Sequence, residues 1–128
     1  MTNMTSSTDT AVDAYFAMWN EEDPSARRRH IETAWTGDGT YVDPLLEAAG
    51  YEGLDAMVVG VHTQFPGQRF RRTSGIDAHH GRARFGWELA APDGSVTVAG
   101  VDVAVFAADG RLAAITGFFG PLGDDDRA

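Results

Sequence analysis

The chain has 128 residues, 43% of them hydrophobic and 23% charged, the balance of one globular domain able to bury a core unaided. Lys+Arg 10 against Asp+Glu 19 gives a net charge of −9, which repels phosphate backbones and anionic membranes, so neither is expected as a partner. The sequence holds no cysteine and no lysine, which excludes disulfides, thiolate nucleophiles, Schiff-base chemistry and a P-loop.

Read in chain order, MTNMTSSTDT has neither the charged start nor the apolar stretch of a signal peptide, and no apolar run approaches the ~20 residues of a membrane span. A cytoplasmic single domain over 1–128 is expected, with flexible ends at about 1–8 and 121–128. Val12, Tyr15, Phe16 and Trp19 recur at helical spacing, predicting a helix near 9–20. Asp23-Pro24 opens a second helix, with Ile31, Ala34 and Trp35 inward, Arg27-Arg28-Arg29 on a solvated face and Gly37 as its end. Residues 40–43 read as a short strand stopped by Pro44, followed by a loop to Gly53. Leu54, Met57, Val58 and Val61 mark a third helix ending before Pro66-Gly67.

The second half reads as strands over 70–77, 82–90, 95–107 and 112–119. Turns fall near His79-His80-Gly81, Pro92-Asp93-Gly94 and Asp109-Gly110. The order α-α-β-α-β-β-β-β is an α+β class, one curved antiparallel sheet with helices packed on one face.

One residue breaks the pattern. The strand over 95–107 is apolar on both alternating faces, so burial on both is expected, and Asp102 is its only charge. A buried carboxyl must be paired, hydrogen-bonded or protonated. It is either a structural aspartate satisfied by a neighbour or a carboxyl kept neutral for a function. Asp43, at a strand end before proline, reads as an Asx turn or as a second functional carboxyl. Tyr15 lies on the apolar stripe of the first helix, and its hydroxyl needs a partner, which Asp102 can supply. Trp19, Trp35, Phe85, Trp87, Phe106, Phe118 and Phe119 are candidates for the wall of an apolar cavity.

The stretches AYFAMWNEEDP (14–24), YVDP (41–44), YEGLDAM (51–57) and AGVDVAVFAADGRLAAITGFFG (99–120) resemble the nuclear transport factor 2-like superfamily, in particular its SnoaL-like and ketosteroid-isomerase-like members. The resemblance spans about residues 10–120. It implies a cone: a strongly bent, mixed, mostly antiparallel sheet around a pocket, three helices at its mouth, and a homodimer through the outer sheet face. It also implies roles. Asp43 stands where ketosteroid isomerase has its general base, Asp102 where it has a protonated oxyanion-hole aspartate, and Tyr15 where it has the oxyanion-hole tyrosine. Trp35 and Val61 stand where that enzyme has supporting tyrosines. Ketosteroid isomerase is a known case of two carboxyls held in opposite protonation states.

The function expected is cofactor-independent acid–base chemistry on a small hydrophobic carbonyl compound, as isomerase, polyketide cyclase or dehydratase. The alternative is a domain that binds such a molecule without chemistry. His62, near the end of the third helix, can reach the pocket, as the histidine of scytalone-dehydratase-like members does. His79 and His80 flank a turn, and no histidine pair has metal-ligand spacing, so no metal is expected. Arg82-Ala83-Arg84 lacks the aspartate of the epoxide-hydrolase-like arrangement.

Overall fold

A computed structural model describes residues 7–123, so the loose ends expected at 1–6 and 124–128 lie outside the described residues. Residues 7 and 8 are not loose; they begin α1 (Ser7–Asn20). The helix buries Ala11, Val12, Ala14, Tyr15, Met18 and Trp19, a stripe repeating every three or four residues. At its end Asn20 clamps the backbone of Phe70, donating to the carbonyl and accepting from the N–H, each at 2.8 Å.

α2 (Pro24–Ala34) starts as the Asp-Pro step predicts, with the Asp23 carboxylate accepting from the Ala26 N–H at 2.8 Å. It stops at Ala34 rather than Gly37. Trp35 is extended and opens β1 (Trp35–Val42), fully buried in the core. The helical spacing of 31, 34 and 35 cannot distinguish a last helical residue from a buried first strand residue. Arg27 departs from the solvated face expected for the arginine run. It is buried, with Nε 2.6 Å from Asp55 of α3 (Gly50–Gln64) and its guanidinium donating to the Glu21 carbonyl at 2.8 Å. Arg28 and Arg29 stay exposed.

The expected loop to Gly53 holds β2 (Glu47–Ala49), antiparallel to β1, and α3 begins immediately after it. The strand expected over 70–77 is two short ones, β3 (Arg69–Arg72) and β4 (Asp77–His79). Both pair with β5 (Arg82–Ala90), and the chain between them detours where Ser74 accepts from the Gly86 N–H at 2.8 Å. His80 and Gly81 both take positive φ (49° and 74°), the turn whose twist matches the strands it joins. β6 (Val96–Phe106) and β7 (Leu112–Phe119) complete an open seven-stranded sheet, ordered β2-β1-β7-β6-β5-β3. Among the described residues only β1 and β7 pair in parallel, so the sheet is mixed and mostly antiparallel, and the class is α+β as expected.

The helices cover one face. On β6, Asp102 and Ala104 point inward and are buried, whereas Val101, Val103 and Val105 are 39%, 38% and 42% exposed. Burial on both faces is therefore not observed within one chain, because the sheet is a single layer with helices on one side. Among the described residues no helix is long and apolar enough to cross a membrane.

Candidate active site

Strand register sets the site. Phe85, Asp102 and Gly117 stand side by side across β5, β6 and β7, and the next row on that face is Trp87, Gly100 and Phe119. Above this face, under α1 and α3 and beside the β1–β2 turn, lies a cavity of about 230 Å³. Its walls are apolar, formed by Leu45, Leu46, Phe65, Phe70, Leu89 and Phe119. Its polar groups come from Tyr15, Tyr41, Asp43, Trp87, Thr97 and Asp102, and among the described residues no arginine or histidine lines it. Phe70 stacks obliquely on Trp19, with centroids 4.7 Å apart, and meets Trp87 at 5.8 Å, so the aromatic wall is braced ring against ring.

Asp102 is 2% exposed, and its Oδ2 accepts the Tyr15 hydroxyl at 2.7 Å. Oδ1 is buried without a partner. Burial pushes the carboxyl up to about 7; the Tyr15 hydroxyl opposes this, the charge of Asp43 adds to it, and the nearby Trp87 indole N–H weakly opposes it. Trp87 Nε1 itself makes no hydrogen bond of regular geometry. Its proximity lowers the charge cost at Asp102 without satisfying the donor.

Asp43 lives differently. Its Oδ1 accepts from the N–H groups of Leu45 and Leu46, both at 2.8 Å, and its Oδ2 accepts the Tyr41 hydroxyl at 2.6 Å. The Asx turn and the cavity-facing carboxyl are therefore the same residue. Burial, then the charge of Asp102, hold both tyrosine hydroxyls well above their ordinary range, so both are neutral donors. Gly117 makes room where the carboxyls approach. A methyl there would stand 2.9 Å from Asp102 Oδ1, 3.1 Å from Asp43 Cβ and 3.5 Å from the Tyr41 hydroxyl.

Among solved structures, the chain is similar to a SnoaL-like family protein from Agrobacterium tumefaciens str. C58, proposed to be an isomerase. The two are 36% identical with a TM-score of 0.83, over 90% of this chain and 98% of the other. The chain belongs to the SnoaL-like family. An NTF2-like protein from Exiguobacterium sp. 255-15 (21% identity, TM-score 0.70, 88% and 100% of the two chains) shares the fold. So does a proposed polyketide cyclase from Sinorhizobium meliloti (16%, 0.67, 88% and 98%). No family model and no curated protein matches the chain.

In this SnoaL-like protein, Tyr15, Asp43, Asp102, Trp19, Trp87 and Phe119 are brought to one cavity. Trp35 and Phe85 are not in its wall; they fill the closed end of the core against Tyr15, at centroid distances of 6.0 and 6.1 Å. Phe106 packs half-buried against that same core, and Phe118 points outward, 55% exposed, because it alternates with Phe119. His62 does not reach the cavity. Its Nε2 lies 2.6 Å from the Trp19 carbonyl in the last turn of α1, where a ring N–H satisfies an acceptor that the helix leaves unpaired. Sequence reasoning missed Tyr41, although it shares a strand face with Asp43 two residues on, which is the signal that finds it. Val61, at the position of an absent tyrosine, does line the cavity.

Proposed function

We propose that the chain is a cofactor-independent acid–base enzyme acting on a small, neutral, hydrophobic carbonyl compound. The observation that carries this reading is the pair Asp43 and Asp102 lining one largely apolar cavity, one carboxylate accepting three hydrogen bonds and the other buried with an unpartnered oxygen. Asp43 Oδ2 takes a proton from the carbon next to the carbonyl. Its Oδ1 is occupied by two backbone N–H groups, so Oδ2, with a lone pair left beside the Tyr41 hydroxyl, is the basic atom. Asp102, neutral, donates its proton to the carbonyl oxygen as negative charge grows there. Return of the proton from Asp43 to another carbon isomerises the substrate. Attack of the enolate on a second carbonyl closes a ring, and loss of a β-hydroxyl group as water dehydrates it.

Among the described residues the lining carries no cationic side chain, which disfavours carboxylate or phosphate substrates. The test is α-proton exchange into deuterated water, followed by NMR over a panel of cyclic enones and hydroxy-ketones. Asp43→Asn is expected to slow exchange by ~10²–10⁴-fold. Asp102→Ala is expected to slow it by about 10²-fold or more. Exchange unchanged in both variants overturns the reading. A domain that only binds a hydrophobic molecule is the second reading, favoured by the apolar wall; it predicts ligand binding with no exchange in the wild type. The exposed row of Val101, Val103 and Val105 with Phe118 suits a second copy of the chain, a homodimer that sedimentation tests.

A further inference from the structure

Two polar atoms in residues that line the cavity are buried with no hydrogen-bond partner: Asp102 Oδ1 and Trp87 Nε1. One is a carboxyl oxygen and the other can only donate. Buried polar groups are nearly always satisfied, so an unpaired set of this kind in two neighbouring residues of the cavity lining calls for a ligand atom. The register makes them neighbours. Asp102 pairs across the sheet with Phe85 and Gly100 with Trp87, so Trp87 is the diagonal same-face neighbour of Asp102.

Trp87 is seated with care. It lies over Gly100, where a methyl would stand 2.9 Å from its Cζ2 and drive into the Phe118 carbonyl. Phe70 on one side and Phe119 on the other hold the ring, each with a centroid distance of 5.8 Å. Tyr15, by contrast, spends its hydroxyl proton on Asp102 Oδ2 at 2.7 Å. That bond leaves Oδ1 as the oxygen that carries the proton when Asp102 is neutral. An O–H and an indole N–H side by side are two donors, and together they require one acceptor.

We propose that Trp87 is the second oxyanion donor of this site, its indole N–H converging with the Asp102 hydroxyl on the substrate's carbonyl oxygen, while Tyr15 is a positioning residue that acts through Asp102. This rests on the acid–base reading above. It assigns the polar end of the ligand: one unbranched carbonyl or enolate oxygen, with no charged group beside it. Binding is coupled to a proton. When Asp102 is ionised Trp87 faces a carboxylate, and a ligand oxygen enters only as Asp102 gains its proton. The charges that face Asp102 come from Asp43 of the β1–β2 turn; Tyr15 of α1 and Tyr41 of β1 are neutral.

The probe is 1-tetralone, a neutral bicyclic ketone. Two signals are read on binding: its carbonyl stretch in the infrared, and the indole N–H resonances of the three tryptophans in the ¹⁵N-labelled protein, with Trp87 assigned by the peak lost in Trp87→Phe. The proposal expects the wild type to move the stretch to lower frequency and the Trp87 resonance downfield. Trp87→Phe should keep about half of the infrared shift and bind about tenfold more weakly, the worth of one such donor. Binding should weaken as pH rises above about 7. If the stretch shifts in the wild type, Trp87→Phe keeps the whole shift and the Trp87 resonance stays still, Trp87 is not a donor and only this inference falls. If 1-tetralone binds with an unshifted stretch, or fails to bind at millimolar concentration, no oxyanion site exists and the functional reading falls with it. If Trp87→Phe fails to fold, the Trp87 resonance is assigned in the wild type by nuclear Overhauser contacts to the Phe70 and Phe119 rings, and its shift alone decides.

Discussion

The turn that carries Asp43 and the strand centre that carries Asp102 supply the same side chain to the same cavity and treat it in opposite ways. The turn spends three donors on its carboxylate, two of them backbone N–H groups that no side-chain change removes. The strand centre offers Asp102 one hydroxyl, a near-missing indole N–H and almost no water. A β-ladder consumes its own backbone N–H groups, so a carboxyl in mid-sheet depends on side chains alone, whereas a turn has free N–H groups to give. Placing one acid on each kind of backbone gives two identical residues opposite surroundings, and burial in mid-sheet pushes the Asp102 carboxyl up to about 7.

The largest test of that contrast is stability against pH. Asp102 has its carboxyl raised to about 7 in the folded chain, so between about 4 and 7 the native state holds a proton that the unfolded state has lost. Stability from this group is therefore complete below pH 4 and declines as pH rises through 7. Asp102→Asn, which keeps an acceptor for Tyr15, should remove that decline. In urea melts from pH 4 to 8 its advantage over the wild type should grow by a few kcal/mol. A pH-independent difference between the two proteins breaks the comparison. In activity, the wild-type kcat/KM should fall on the alkaline side of about 7 as Asp102 ionises, and the Asn variant, though slower, should lose that limb.

A smaller effect concerns the space between the carboxyls. Gly117→Ala puts a methyl 2.9 Å from Asp102 Oδ1 and 3.1 Å from Asp43 Cβ, forcing the two apart. A stability cost of about 1–3 kcal/mol is expected in thermal melts, with a larger proportional loss in proton exchange. Smallest is Tyr41→Phe, which removes one of the three donors to Asp43 and leaves the turn intact. It should cost roughly 1 kcal/mol in denaturant melts, the net worth of one hydrogen bond. An unchanged melting midpoint would mean that the backbone donors of Leu45 and Leu46 alone hold the Asp43 side chain.

Much of this was readable from local pattern. Periodicity located the helices, Asp-Pro located the start of α2, and Gly-containing turns located the strand joints. Asp102 stood out because a lone charge in an apolar run is a cost that some tertiary partner must repay. Aromatic residues were harder. Trp35 and Trp87 are both buried tryptophans, yet one fills the closed end of the core and the other faces a cavity. Nothing in their neighbours along the chain separates them, since burial is all that periodicity encodes.

The three helices, the α+β class and the two unusual carboxyls were legible in the sequence itself, because spacing of 3.6 or 2 residues, turn chemistry and the cost of a buried charge act over a few residues at a time, whereas β2, the division of β3 from β4 and the parallel β1–β7 pair were not. What lies opposite each face depends on residues far apart in the chain, and only the packed fold decided it. Tyr15 meets Asp102 across 87 positions, Gly117 opens the gap beside it, and the outer valines of β6 stay partly exposed.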